Sequence, residues 1–257
     1  MTGALSHKRV LQFAVGTAGL AIAWQIASLF FPDYLFPSIP QIARRFVEIA
    51  TTWSTQVDIL TTAGRILAGL IGAFTLGVVL ALILNKSRAA EAYLTPVLIV
   101  LQGVPALSWV VIAIIWFHGT EFRIFFIMMM TTLPAFTFQI LDAVRSMSKD
   151  LFEMTVAFRP TRWTMFRVLV LPTVVPGILT AWKVNLGDAS RVVVVAELVG
   201  ATGGVGYELL RQQQLFDMTG AIAWTLQLVF FVLIFQAIIT AVEQWALRWR
   251  PQSERAI

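Results

Sequence analysis

The chain has 257 residues, of which 58% are hydrophobic and only 13% charged, and its mean hydropathy is +0.79. Soluble domains carry about 25% charged residues, so the polar coat that one or two water-soluble domains of this length need is missing. Zero cysteines exclude a disulfide framework or thiolate metal site, and the two histidines, His7 and His118, lie too far apart in sequence to argue for zinc or haem. The net charge of +5 and pI near 10.1 fit the Lys and Arg that gather in the inner loops of membrane proteins, rather than nucleic-acid binding.

A helix spanning the hydrocarbon core needs about 20 apolar residues, and six uncharged or nearly uncharged runs meet that length. The composition therefore predicts an all-α integral membrane protein of six transmembrane helices in a single domain, 1–257. No room remains for a separate catalytic domain.

The first run, Val10 to Pro32, follows His7-Lys8-Arg9 and contains Ala21-Ile22-Ala23, which together resemble a signal peptide. The apolar stretch continues through Phe31, beyond any such cut, so the expectation is an uncleaved first helix over about 10–32. Core helices are expected within 57–247. The second run, Ile66 to Leu84, carries Gly69, Ala73, Gly77 and Ala81 at four-residue spacing, a stripe where another helix can approach closely. Packing within one subunit is the favoured use. The third, Ala92 to Phe117, and the fourth, Ile124 to Leu141, contain Pro105 and Pro134. Pro176 falls in the fifth, counted from Pro172 to Leu198. Each such proline leaves a carbonyl to be satisfied by neighbours or by a water-lined cavity. Met218 to Val242 closes the series.

With the N-terminus inside, the inner loops hold Lys8, Arg9, Lys86, Arg88, Arg145, Lys149, Arg159, Arg162, Arg167, Arg248, Arg250 and Arg255. The outer loops hold Arg44, Arg45, Arg123 and Arg211. This positive-inside bias predicts that both termini are cytoplasmic.

The longest inner loop, about 145–171, lies between the fourth and fifth spans. Asp150 with Glu153 at the third helical position reads as a capping box. Pro160 disfavours helical geometry at Arg159 and suits the first turn of a new helix. Two short helices meeting at Arg159-Pro160 are expected, the second presenting Trp163, Phe166 and Arg167 at three- and four-residue spacing. Such a basic amphipathic element either lies on anionic lipid or docks into a groove of a soluble partner.

The fifth span carries Lys183, Asp188 and Arg191. At 100° per residue Arg191 stands about 80° round from Lys183 and about 60° from Asp188. Each charge at mid-helix costs about 2.5–3.5 kcal/mol on insertion scales. An internal pair of Asp188 with Arg191 is expected; it leaves Lys183 unpaired and implies a wet interior. Lys183, Asp188 and Arg191 are accordingly the candidates for a translocation pathway favouring a small anion. Gln102 and Trp109 in the third span are weaker candidates, for which core packing is the better reading.

Several segments together resemble the permease subunits of bacterial ABC importers. The 145–171 loop looks like that family's EAA loop, which runs from Glu-Ala-Ala through a glycine to a hydrophobic-Leu-Pro end. Leu35-Phe36-Pro37-Ser38 is similar to its stretch after the first span, and Gln102-Gly103-Val104-Pro105 to its third-span proline motif. Leu171-Pro172 through Gly177, Val195-Ala196-Glu197 and Gly204-Val205-Gly206-Tyr207 resemble the bounds of the fifth span and the external turn after it. The branch resembled handles nitrate, sulfonates, taurine, bicarbonate and thiamine precursors. The match departs at Met154 and Thr155, which replace the alanines, and at Arg159, which replaces the glycine.

The resemblance implies that Glu153, Phe158, Arg159, Pro160, Arg162, Trp163, Phe166 and Arg167 form a coupling helix gripped by a cytosolic ATPase. It implies two ATPase copies binding ATP and Mg, a second permease copy, and a periplasmic or lipid-anchored solute-binding protein. Glu197 corresponds to the family's acidic residue at the outer end, where local pairing is the expected role. The chain lacks a Gly-x-x-x-x-Gly-Lys-Ser/Thr loop, so it is expected to be non-catalytic and to hold no cofactor of its own. The alternative is an ion-coupled secondary transporter relaying through Lys183 and Asp188, for which no inverted repeat is evident. An intramembrane enzyme using Asp142, Asp188 or Glu197 lacks a carboxylate pair, nucleophile–histidine set or metal motif.

Overall fold

The computed structural model describes residues 2–248, and Arg250 and Arg255, counted above among the inner basic residues, lie outside them. The described residues contain helices and no strands. In chain order the helices are α1 (Thr2–Ala27), α2 (Ile39–Thr51), α3 (Trp53–Lys86), α4 (Arg88–Gly103), α5 (Ala106–Trp116) and α6 (Thr120–Arg145). There follow α7 (Lys149–Ala157), α8 (Arg162–Met165), a π-helical segment (Phe166–Val170), α9 (Leu171–Gly200), α10 (Val205–Gln214) and α11 (Met218–Ala246).

Among the described residues, four helical stretches are long and apolar enough to cross a membrane: α3, α6, α11, and the continuous Arg162–Gly200 stretch that includes α9. The third expected span is not one rod. α4 and α5 meet at a 96° bend, because Pro105 forces Val104 into extended geometry (ψ 123°) and donates no N–H to continue the ladder. The pair forms a fifth crossing if it is one broken span. α1 contributes an apolar stretch over Ala14–Ala27 and ends there rather than at Pro32. Its C-terminal turn is held by the chain that follows: Trp24 Nε1 donates to the Pro37 carbonyl at 3.0 Å, and Gln25 Oε1 accepts from Ile39 N at 3.0 Å.

Helix starts follow local chemistry. Ser87 Oγ accepts from Ala90 N at the head of α4, and Asp217 Oδ1 from Gly220 N at the head of α11. At α2 the Gln41 side chain reaches back to accept from Ser38 N at 2.8 Å, half of a capping box, with Pro40 in the first turn.

The core is built around α6, which lies between α3 and α9. The small-residue stripe of α3 receives it: a Cβ on Gly69 would stand 2.6 Å from Met128 Cβ, and one on Gly77 would stand 3.0 Å from Phe136 Cβ. Ala73 and Ala81 on the same stripe are buried, so the stripe serves packing within the subunit. On the α9 side, Gly177 leaves room for Ala143. Phe74, Phe136 and Trp182 lock the three helices together with ring centroids 5.3–5.7 Å apart. Large apolar side chains such as Leu76, Leu82, Phe230 and Leu233 face outward, the arrangement a hydrocarbon solvent favours.

Candidate functional site

Three groups of polar or exposed side chains stand out against this apolar body. The first is the segment joining α6 to α9. No residue of α7 or α8 is buried. Arg159 turns the chain between them with φ 49°, the left-handed region that favours glycine. An arginine thus holds a backbone conformation more often given to glycine, with Pro160 following it. Capping differs from expectation. Ser148, not Asp150, occupies the cap position of α7, and Asp150 falls in the first turn where its charge faces the positive helix end. Glu153 makes no capping-box bond. The second helix starts at Arg162 rather than at Pro160, because Thr161 is its cap and accepts from Thr164 N at 3.2 Å. Trp163 and Phe166 stack 5.8 Å apart. They stay exposed together with Phe158, which is 80% accessible, and with Glu153, Arg159, Arg162 and Arg167. The π segment arises where Pro172 cannot donate: Leu171 N bonds back to the Phe166 carbonyl.

The second group lies on α9. Lys183, expected to be unpaired, forms an ion pair with Glu243 of α11. Glu243 follows directly on the uncharged run that marked the last span, and its pairing with a residue 60 positions earlier leaves no periodic signature. Asp188 and Arg191 do pair, at 3.0 Å, yet the pair is not buried: their side chains are 57% and 80% accessible. Arg191 borders an open groove of about 490 Å³ between α9 and α11, with Ser190, Val194, Val229 and Gln236 on its walls. Gln102 is exposed at the end of α4. Trp109 is buried edge-to-face against Phe126, in keeping with core packing.

The third group closes the end of the bundle opposite α7. Glu197 is fully buried. Its carboxylate accepts from Thr62 Oγ1 (2.9 and 3.0 Å), Arg65 Nη1 (2.7 Å) and Gly206 N (2.8 Å). Arg65 also pairs with Glu121 at the head of α6 and donates to the Gly203 carbonyl. Asp58 accepts from Gly204 N at 2.7 Å. Gly204 has φ 110°, and a Cβ there would fall 2.5 Å from Glu197 Oε1, so only glycine fits this turn. Local pairing is therefore what Glu197 does. Arg65, Thr62 and Glu121 escaped the sequence reading; Arg65 stands one position before the uncharged run of the second span, where a boundary residue draws no attention.

Residues 73–248 match the family described as binding-protein-dependent transport system inner membrane component. The putative aliphatic sulfonates transport permease protein SsuC of Bacillus subtilis is 28% identical, over 86% of this chain and 80% of its own length. The formylaminopyrimidine transport permease protein ThiX of Halalkalibacterium halodurans is 26% identical over 91% and 93%. Among solved structures, the bacterial alginate ABC transporter in complex with alginate pentasaccharide-bound periplasmic protein shares the fold with a TM-score of 0.61. That likeness holds at 16% identity, over 92% of this chain and 91% of that one. A chain whose described residues form helices and no strands, several of membrane length, and which is matched to one family over most of its length, belongs to the binding-protein-dependent transport system inner membrane components: it is a permease of the ABC transporter type.

Proposed function

We propose that two copies of this chain form the transmembrane pathway of an ATP-driven importer. Both termini lie in the cytoplasm, and a periplasmic or lipid-anchored binding protein delivers a small anionic solute. Two cytosolic ATPase subunits, which bind ATP and Mg, grip the segment 150–167. The reading rests chiefly on that segment. Phe158, Trp163 and Phe166 expose large apolar surfaces beside Arg159, Arg162 and Arg167, at the end of the bundle where Lys86, Arg88 and Arg145 also gather. Aromatic and arginine side chains are the ones that anchor protein interfaces. The solute class rests on Arg191, which borders the α9–α11 groove, and on the aliphatic sulfonates in the name of one relative. Both bases have a carboxylate partner, Asp188 for Arg191 and Glu243 for Lys183; Lys183 lends less support because it does not border that groove.

The test is purification of the tagged chain from its host in mild detergent. A stoichiometric ATPase should accompany it and be lost from the Trp163→Ala/Arg167→Ala variant. A chain that purified alone and transported in ATP-free liposomes would replace this reading with an ion-coupled carrier. For the solute, Arg191→Ala should change transport rate or preference; an unchanged profile removes the anion assignment.

A further inference from the structure

One face of α9 has no partner within the chain. Thr180, Val184, Asp188, Arg191 and Val199 are exposed along it at helical spacing, while Leu186, Ala189 and Val193 on the far side of the helix are buried. Asp188 stands about 18 Å inside the Gly200 end of the helix at 1.5 Å per residue, a depth at which hydrocarbon does not tolerate exposed charge. The face must therefore meet water or protein. It carries an acid and a base three residues apart, and such a face is self-complementary. When a two-fold axis relates two copies, each carboxylate meets the other's guanidinium, and the contact forms twice.

We infer that this face is a contact with a second copy of the chain, in which Asp188 of each copy pairs with Arg191 of the other and closes the pathway at that level. The inference rests on the two-copy reading above. The internal pair at 3.0 Å is the alternative partner. When the copies separate, each Arg191 returns to its own Asp188, so opening leaves no charge bare and passage needs no uncompensated ion. Gly187 supports the close approach, since a Cβ there would meet nothing within 4 Å and the neighbouring surface is open.

The cysteine-free sequence makes the test direct. Two differently tagged copies, one Asp188→Cys and one Arg191→Cys, are co-expressed and oxidised in membrane vesicles of the complete complex. Each copy then carries a single cysteine, so no bridge can form within a chain, whereas facing residues of two copies within disulfide reach do bridge. A covalent dimer carrying both tags is the expected product. Val184→Cys lies one turn away on the same face without touching the charges, and it should link to itself even if the charged variants assemble poorly. If neither arrangement yields a dimer in complexes that retain their ATPase, the inference fails and the importer reading stands. If no ATPase is present, the importer reading fails, whatever the cross-link shows.

Discussion

Replacing Glu197 by leucine should cost more than any exposed substitution in the chain. The leucine fills a similar volume, so the loss is electrostatic. Arg65, whose side chain is 8% accessible, would keep only Glu121 as its ionic partner, and Gly206 N would lose its acceptor. Breaking a buried pair by removing one partner costs about 3–5 kcal/mol. The remaining Glu121 contact argues for the lower end of that range, and an orphaned buried N–H adds about 1 kcal/mol or more. Near 4 kcal/mol in all, this corresponds to a fall of about 10 °C in melting temperature for a chain of this size. Intrinsic fluorescence of the nine tryptophans in mild detergent reads it directly. Arg65→Leu/Glu197→Leu removes both charges and should melt higher than additivity predicts, by a coupling of about 2 kcal/mol. A melting point for Glu197→Leu that matches the parent, or strictly additive losses in the cycle, would refute the view of this cluster as the clasp of its end of the bundle.

Two further outcomes follow from backbone geometry and packing. Arg159→Gly should raise stability by up to about 1 kcal/mol, since a side chain in the left-handed region costs about that much, whereas Arg159→Val should lower it; thermal melting separates the two. Gly69→Leu drives a side chain into Met128, 2.6 Å from the site of the added Cβ, and should cost about 3 kcal/mol through overpacking, read as lost yield of folded protein in detergent.

Features that depend on neighbours in sequence were legible from it. The glycine and alanine stripe of α3 announced a close helix contact, and α6 fills it, because a four-residue period is a property of the helix itself. The Asp188–Arg191 pair and the break at Arg159-Pro160 are local in the same sense. What could not be read was long-range. Lys183 and Glu243 meet only because α9 and α11 cross, and Thr62, Arg65, Glu121 and Glu197 converge from three helices. Pro105 signalled a perturbed third span, but a proline alone does not specify a break, since Pro96, Pro134 and Pro176 sit inside continuous helices; at Pro105 the chain takes extended geometry at Val104 and turns by 96°. Asp150 failed as a cap because the helix opens at Lys149, so that Ser148, extended at ψ 130°, takes the cap position and Asp150 falls inside the first turn.

The continuous helix from Arg162 to Gly200 has 39 residues and is about 58 Å long at 1.5 Å rise per residue. Its two ends are mechanically unlike. At one, Trp163 is exposed and touches only its own turn through Phe166; at the other, Glu197 is clamped and the Gly200 carbonyl is held by Arg123 at 3.0 Å. Midway, Trp182 packs against Phe74 and Phe136 and Lys183 is tied to Glu243, so the rod is held along its inner half as well as at its far end. A sideways force applied at Trp163 would therefore bend the outer stretch from Arg162 to Ala181, about 30 Å long, about the Trp182 contact and leave Arg191 nearly still. The π segment, Phe166–Val170, lies within that outer stretch, where the regular α-helical ladder is already interrupted.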